Sequence, residues 1–123
     1  MTTPIYRVKA DFFKVLGHPA RIRVLELLRD GEHSVGDLVP AVGIESSHLS
    51  QQLGIMRRAN LVQTRKEGSM VYYSVGDRTL YELLDVARTM ISTSLSVSKD
   101  LLDELRAEGN DVTGVGSGPA GKK

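Results

Sequence analysis

Residues 45–61 constrain the fold of this chain more than any other stretch. Leu49, Leu53 and Met56 are spaced by four and three residues, which predicts an amphipathic helix with one apolar stripe. The other face carries short polar side chains and one base: Ser46, Ser47, His48, Ser50, Gln51 and Arg57. A solvated helix usually mixes lysine with glutamate. A face without acids, rich in serine and glutamine, instead favours a helix that lies in the major groove of DNA.

The alternative for this segment is an ordinary core helix that happens to be rich in serine. The surrounding charge favours the nucleic-acid interpretation, because residues 46–66 hold four bases and no acid. These bases are Arg57, Arg58, Arg65 and Lys66. Residues 1–75 hold ten Lys and Arg against seven Asp and Glu, whereas residues 76–123 hold six against eight. The positive surface is therefore local, as expected for contact with a polyanion.

Length and composition exclude several classes of protein. A chain of 123 residues is long enough for one domain with its own core. It contains no cysteine, which excludes disulfides, thiolate metal sites and thiol redox switching within the chain. No apolar run is long enough for a membrane span and no signal peptide opens the sequence. We therefore expect a cytoplasmic protein without a membrane partner.

The segments before residue 45 predict a run of short helices. Helical spacing covers residues 5–16, where Phe12 and Phe13 face different ways, so that one can enter the core and the other can meet a second subunit. Pro19 suits the first turn of a second helix that reaches residue 29. Residues 30–33 are predicted as a loop, and Ser34 as the N-cap of a helix over residues 35–42. With the turn at residues 43–44, this is the order of a helix-turn-helix.

A β-hairpin is predicted after these helices. Residues 61–65 and 70–75 favour strands, and Gly68 lies in the turn between them. Arg65 and Lys66 are predicted at the tip of this wing, directed at phosphates or a minor groove. The alternative is an exposed hairpin whose charges are merely solvated.

Helical spacing then continues from Asp77, a potential cap, for about seven turns. Residues 92–98 are rich in serine, a weak helix former, so both a continuous helix and a broken one remain open. So much apolar surface predicts packing against a symmetry-related copy. Residues 109–123 are glycine-rich and are predicted to be disordered. The predicted organisation is one domain over residues 1–108, followed by this tail.

Three segments in this order resemble the ArsR/SmtB family of bacterial repressors. They are LGHPARIRVL at residues 16–25, SHLSQQL at residues 47–53, and the wing from Leu61-Val62 to Tyr72-Tyr73. The resemblance covers residues 5–106. It implies a mainly α fold with a small β-hairpin, a winged helix-turn-helix that dimerises through its first and last helices. It also implies a double-stranded DNA operator with two half-sites and an effector that releases the DNA.

The chain departs from the family at both of the family's metal-sensing positions. Ser34 and Gly36 stand where many members have a cysteine pair, and neither residue binds a soft metal. The resemblance also places an Asp and His set on the long helix, where Asp77 matches the Asp and the other three positions hold Thr79, Met90 and Thr93 in place of His or Glu. One carboxylate is not a metal site. We therefore expect no cofactor and no metal site of either kind, although a weakly bound divalent metal effector remains open.

The three histidines have simpler interpretations than a metal site. His18 is expected to cap or orient its Gly-His-Pro turn, His33 to lie on the surface, and His48 to meet DNA. A weak site of His33 with Glu32 is not supported by the spacing. The effector is therefore expected to be a metal at an unusual site, a small organic molecule, or a partner protein such as a co-regulator.

The predicted function is that of a sequence-specific DNA-binding transcriptional regulator. Gln51 is the best candidate for base recognition, because its amide can pair with adenine through two hydrogen bonds, whereas Gln52 is expected to face the preceding helix. The four bases of residues 46–66 are expected to neutralise phosphates. Repression and activation both fit, and a dimeric winged-helix protein-interaction module is the alternative class. No nucleophile and base set suggests an enzyme.

Overall fold

The computed structural model describes residues 2–94 and 99–110, and the chain divides into two units, residues 1–78 and residues 79–123. In the first unit the helices and strands are α1 (Ile5–Leu16), α2 (Pro19–Leu27), β1 (His33–Ser34), α3 (Val35–Val42), α4 (Ser46–Arg58), β2 (Val62–Glu67) and β3 (Met70–Val75). A 3-10 turn, Leu28–Asp30, follows α2. The second unit contains α5 (Thr79–Ser94) and α6 (Lys99–Asn110).

Local capping explains where the short helices begin and end. The N–H of Ala20 donates to Nδ1 of His18 at 3.1 Å, so His18 caps α2, which confirms its predicted role in the turn. The N–H of Asp37 donates to Oγ of Ser34 at 3.2 Å, which confirms Ser34 as the cap of α3. Helix α3 ends at Gly43, whose φ of 81° is a left-handed conformation that glycine adopts without strain.

The hairpin is confirmed, and it forms part of a three-stranded antiparallel sheet in the order β1-β3-β2. Glu67 pairs with Met70, which leaves a two-residue turn in which Gly68 has a φ of 62°. The loop prediction for residues 30–33 was wrong at His33, which pairs with Tyr73 of β3. A strand of two residues is too short for an alternating pattern, so only its distant partner could reveal it.

The core of the first unit is apolar and centres on α4. Its fully buried side chains are Val24, Leu25, Leu28, Leu38, Leu49, Leu53 and Met56. Burying one such side chain stabilises a fold by about 1.5–3 kcal/mol. Three of the seven belong to α4, so this packing fixes which face of α4 points outward.

Both units also expose large apolar side chains. On α1 these are Ile5, Tyr6, Val8, Phe12 and Phe13, and Leu16 is the one buried residue of that helix. On α5 they are Val86, Met90 and Ile91. Soluble proteins seldom expose contiguous apolar surface without a partner. The structure therefore shows two helices with apolar residues in contact with solvent.

Some of the sequence-based predictions concern residues that the structure does not describe. The question of a continuous or a broken long helix falls on residues 95–98, and most of the predicted tail falls on residues 111–123. Helix α6 continues to Asn110, two residues beyond the predicted domain boundary at residue 108, and that boundary remains a prediction. Within the described residues, no helix has the length and apolar character that a membrane crossing requires.

Candidate nucleic-acid interface

The two faces of α4 carry different kinds of side chain. Leu49, Leu53 and Met56 are fully buried. All seven predicted DNA contacts of this helix are exposed: Ser46, Ser47, His48, Ser50, Gln51, Arg57 and Arg58. The helix itself contains no acidic residue. The apolar stripe thus turns toward the core as predicted, and the uncovered face offers hydroxyls, one amide, an imidazole and positive charge.

The start of α4 lies beside the cap of α2. The rings of His18 and His48 stand edge to face, with centroids 6.4 Å apart and planes 80° apart. Nδ1 of His18 accepts a backbone N–H, so in the neutral ring Nε2 carries the proton. His48 remains exposed on α4 next to this ring. The contact therefore gives His48 a fixed neighbour without removing it from the outward face.

Gln52 is the polar member of the buried face of α4. It is 5% exposed, and its Oε1 accepts a hydrogen bond of 2.7 Å from Nε of Arg21 on α2. Nη1 of Arg21 donates to the carbonyl oxygen of Val15 at 3.0 Å. Gln52 therefore faces inward and is connected through Arg21 to α2 and to the end of α1. No local pattern signals this connection, because Arg21 and Gln52 are 31 positions apart.

Replacing Gln52 with leucine should destabilise the first unit by about 1–3 kcal/mol, because the half-buried Arg21 guanidinium would lose its acceptor. Urea denaturation measures this change as a lower midpoint. The matched control is Gln51→Leu on the exposed face, which should shift stability by no more than about 0.5 kcal/mol. Equal stability losses in the two variants would contradict the structural role of Gln52.

Arg65 of β2 forms ion pairs with acidic residues, so its guanidinium is not a free cation. Its Nε and Nη2 donate to the two carboxylate oxygens of Glu32, at 3.1 Å and 2.6 Å. Its Nη1 donates to Oε1 of Glu67 at 2.6 Å. The guanidinium carbon also lies 4.7 Å from the centre of the Tyr72 ring, its cross-strand neighbour. Arg65 is therefore held by three side chains, two from the wing and one, Glu32, from the segment before β1.

These contacts change the protonation equilibria of both partners. The hydrogen bond from Arg65 lowers the pKa of the Glu32 carboxyl below its ordinary value. The hydrogen bonds to Glu32 and then to Glu67 raise the pKa of the already basic Arg65 guanidinium. Both groups are thus ionised at neutral pH. Glu32 was missed as a site residue, since it precedes the segment without acids by fourteen positions and shares no period with the wing.

Lys66 differs from Arg65 in the direction of its side chain and in its ion-pair partners. Neighbouring residues of a strand point to opposite faces, so Lys66 lies on the other face of the hairpin. The turn consists of Gly68 and Ser69, and the prediction that Arg65 and Lys66 occupy the tip was wrong: both lie within β2. In the described part of the chain, no carboxylate pairs with Lys66, Arg57 or Arg58.

The positions where the family senses metals hold other roles here. Ser34 is buried and caps α3, and Gly36 follows it in that helix. Nδ1 of His33 lies 3.6 Å from a carboxylate oxygen of Asp37, whereas Glu32 is engaged by Arg65. Residues 2–94 and 99–110 contain no group of three His, Cys, Asp or Glu side chains placed to hold a metal ion. The expected absence of a cofactor remains a prediction.

Comparison with known proteins identifies the family that shares this architecture. Residues 18–64 match the family described as "Bacterial regulatory protein, arsR family". The uncharacterized HTH-type transcriptional regulator Rv0081 of Mycobacterium tuberculosis H37Rv is 50% identical over 108 residues, 87% of this chain and 95% of that protein. The crystal structure of M. tuberculosis Rv0081 has a TM-score of 0.72 and 51% identity, and the match covers 77% of this chain and 96% of that one.

A more distant relative carries a functional name. The biofilm growth-associated repressor of Xylella fastidiosa Temecula1 is 34% identical over 84 residues, 68% of this chain and 74% of the relative. The matches agree with the three segments of the sequence and with the helices, turn and wing of the structure. This chain belongs to the arsR family of bacterial regulatory proteins and is a winged helix-turn-helix, DNA-binding transcriptional regulator.

Proposed function

We propose that two copies of this chain assemble on an operator and repress transcription, each copy placing α4 in a major groove. The observation that carries the proposal is the exposed face of α4, where hydroxyls, the Gln51 amide and guanidinium groups are uncovered and no acid occurs. A duplex is a dense polyanion, so such a face can approach it without charge repulsion. A regulator of this kind would act in the cytoplasm.

The exposed residues of α4 are proposed to contact different parts of DNA. Gln51 is proposed to recognise a base, because its amide can form two hydrogen bonds with adenine. Ser46, Ser47 and Ser50 can donate to phosphates or base edges, and His48 stands among them. Glu45 makes no side-chain capping bond, so the first N–H groups of α4 can also face a phosphate.

The basic residues are proposed to neutralise phosphates on either side of the groove. Arg57 and Arg58 lie in the last turn of α4, and both are exposed. On the wing, Lys66 forms no ion pair with a carboxylate among the described residues, whereas Arg65 must break its ion pairs before it meets a phosphate. We therefore expect Lys66 to be the readier of the two wing contacts.

The exposed apolar side chains of α1 and of α5 support the assembly of two copies. Tyr6 and Met90 are 70% and 66% exposed, although each could stabilise an interface by about 1.5–3 kcal/mol if buried. A second copy supplies matching surfaces by symmetry. We propose dimerisation through α1 and α5, the latter being the first part of the predicted long last helix, which would set the two half-sites one helical turn apart, about 34 Å.

Repression is the proposed outcome because a relative with 34% identity is named a repressor. Covering a promoter would suffice, although a different operator position would turn the same contact into activation. For release, we propose an effector other than a metal at the family's usual positions, which hold Ser34, Gly36, Thr79, Met90 and Thr93. A small organic molecule, a partner protein and a metal at an unusual site are the alternatives.

Sequencing the duplex DNA that the purified protein retains from a random library at moderate salt would test the proposal. A dimer by light scattering and an enriched two-part motif are expected. A protein that remains a monomer, or ignores duplex DNA in dilute buffer, would favour the rival class, a winged-helix module that binds proteins.

The double variant Arg57→Gln/Arg58→Gln should weaken binding to all sequences. The slope of log affinity against log salt should become shallower by about one unit for each phosphate that the variant no longer neutralises. The control is Arg23→Gln on α2, where the arginine is paired with Glu26 at 3.4 Å and lies outside α4 and the wing. If Arg23→Gln makes the salt slope shallower by as much per removed charge as the double variant does, Arg57 and Arg58 would not be the residues that neutralise phosphates.

A further inference from the structure

We propose that Glu32 limits the DNA affinity of the wing, because it serves as an internal counter-ion that phosphate must displace from Arg65. This inference rests on the proposed contact between the wing and DNA. It assigns a function in binding to an acidic residue outside α4 and outside the hairpin.

The Glu32–Arg65 pair has the geometry of a strong ion pair. Two parallel hydrogen bonds, of 3.1 Å and 2.6 Å, join the guanidinium to both oxygens of one carboxylate. Hydrogen bonds between charged groups are stronger than those between neutral groups, and pairing through two bonds adds both energy and geometric specificity. The pair also crosses the sheet: Glu32 precedes β1, Arg65 lies on β2, and Tyr72 of the middle strand β3 lies beneath the guanidinium.

Glu32, rather than Glu67, is the residue that decides the availability of Arg65. Glu67 lies two residues away on the same strand, makes one hydrogen bond and has a side chain that is 70% exposed. Glu32 makes two bonds from a different part of the fold, and its side chain is 40% exposed. When Arg65 leaves Glu67 it remains held by Glu32, so a phosphate gains full access only when Glu32 is displaced.

The local charge explains the consequence for binding. Glu32, Arg65 and Glu67 together carry one net negative charge, and Lys66 brings the wing segment to zero. Because the pKa of Glu32 is lowered by its hydrogen bond with Arg65, this carboxylate stays charged throughout the neutral range. A phosphate therefore replaces an existing ion pair instead of meeting a free cation. The expected result is weaker attraction to DNA of any sequence.

The test compares Glu32→Gln with Asp30→Asn on a random-sequence duplex, across a series of salt concentrations. Both changes remove one negative charge, and Asp30 is an exposed neighbour that forms no ion pair with Arg65. In Glu32→Gln, the log–log salt slope should steepen by about one unit for each wing on the duplex. The affinity of Glu32→Gln relative to wild type should then be about fourfold larger at about 50 mM than at about 200 mM salt for each wing. Asp30→Asn should change the slope by much less.

A second pair of variants isolates the role of Arg65. In a background of Arg65→Gln, the change Glu32→Gln should have no more effect on DNA affinity than Asp30→Asn has. The inference fails if Glu32→Gln binds no better than Asp30→Asn, or binds less well because Arg65 needs Glu32 for its position. Circular dichroism confirms that each variant is folded. If wild type itself does not bind any duplex, the proposed function fails, which is a separate result.

Discussion

Replacing Leu53 with alanine is expected to lower the free energy of unfolding by about 3 kcal/mol, within a range of about 2–5 kcal/mol. Leu53 is fully buried on the inner face of α4, between its buried neighbours Leu49 and Met56. The substitution removes apolar area from the core and leaves a cavity that the surrounding helices can close only in part. A loss of this size is a large fraction of the about 5–15 kcal/mol that stabilises a typical domain.

Urea denaturation, followed by far-ultraviolet circular dichroism, measures this effect. Gln51→Ala lies on the exposed face of the same helix and serves as its control, with an expected change of no more than about 0.5 kcal/mol. Similar stability losses for Leu53→Ala and Gln51→Ala would mean that α4 is not anchored in the core as the structure describes. DNA binding by the Leu53→Ala variant should weaken in proportion to the fraction of the protein that is unfolded.

Gln51→Ala is expected to have the opposite profile, with little change in stability and a large loss of sequence preference. One two-bond contact with a base is worth about 1–3 kcal/mol of discrimination, which corresponds to roughly 5- to 150-fold in affinity for each half-site. The loss should fall on the DNA motif selected by the wild-type protein, while binding to random duplex changes little. The measurement is the ratio of these two affinities at one fixed salt concentration.

Gln63→Ala is the matched control for this experiment. Gln63 is an exposed glutamine on β2, a different element from the helix that carries Gln51, and it lies next to Gly76. Its removal should leave the ratio of specific to random binding unchanged. If Gln51→Ala weakens the selected motif and random DNA by the same factor, Gln51 contacts phosphate and another residue recognises the base.

Local patterns in the sequence determined the helices, the hairpin and the outward face of α4. A stripe at Leu49, Leu53 and Met56 has only one way to be buried, and it forces the intervening polar residues outward. The caps at His18 and Ser34 act within two or three residues of the N–H groups they bind, so they too are visible in the sequence. Three family segments in order then indicated the function, and the comparisons confirm it.

Only the tertiary structure decided which polar groups are already engaged. Arg65 looked like an available base within a segment free of acids, but Glu32 reaches it from 33 positions away. The sequence suggested only that Gln52 faces inward toward a helix, and its hydrogen-bond partner, Arg21 of α2, is 31 positions away. Neither contact follows a helical or strand period, since each depends on how separate elements pack together. The sequence determined which residues point outward, and the packing determined which of the charges among them can meet DNA.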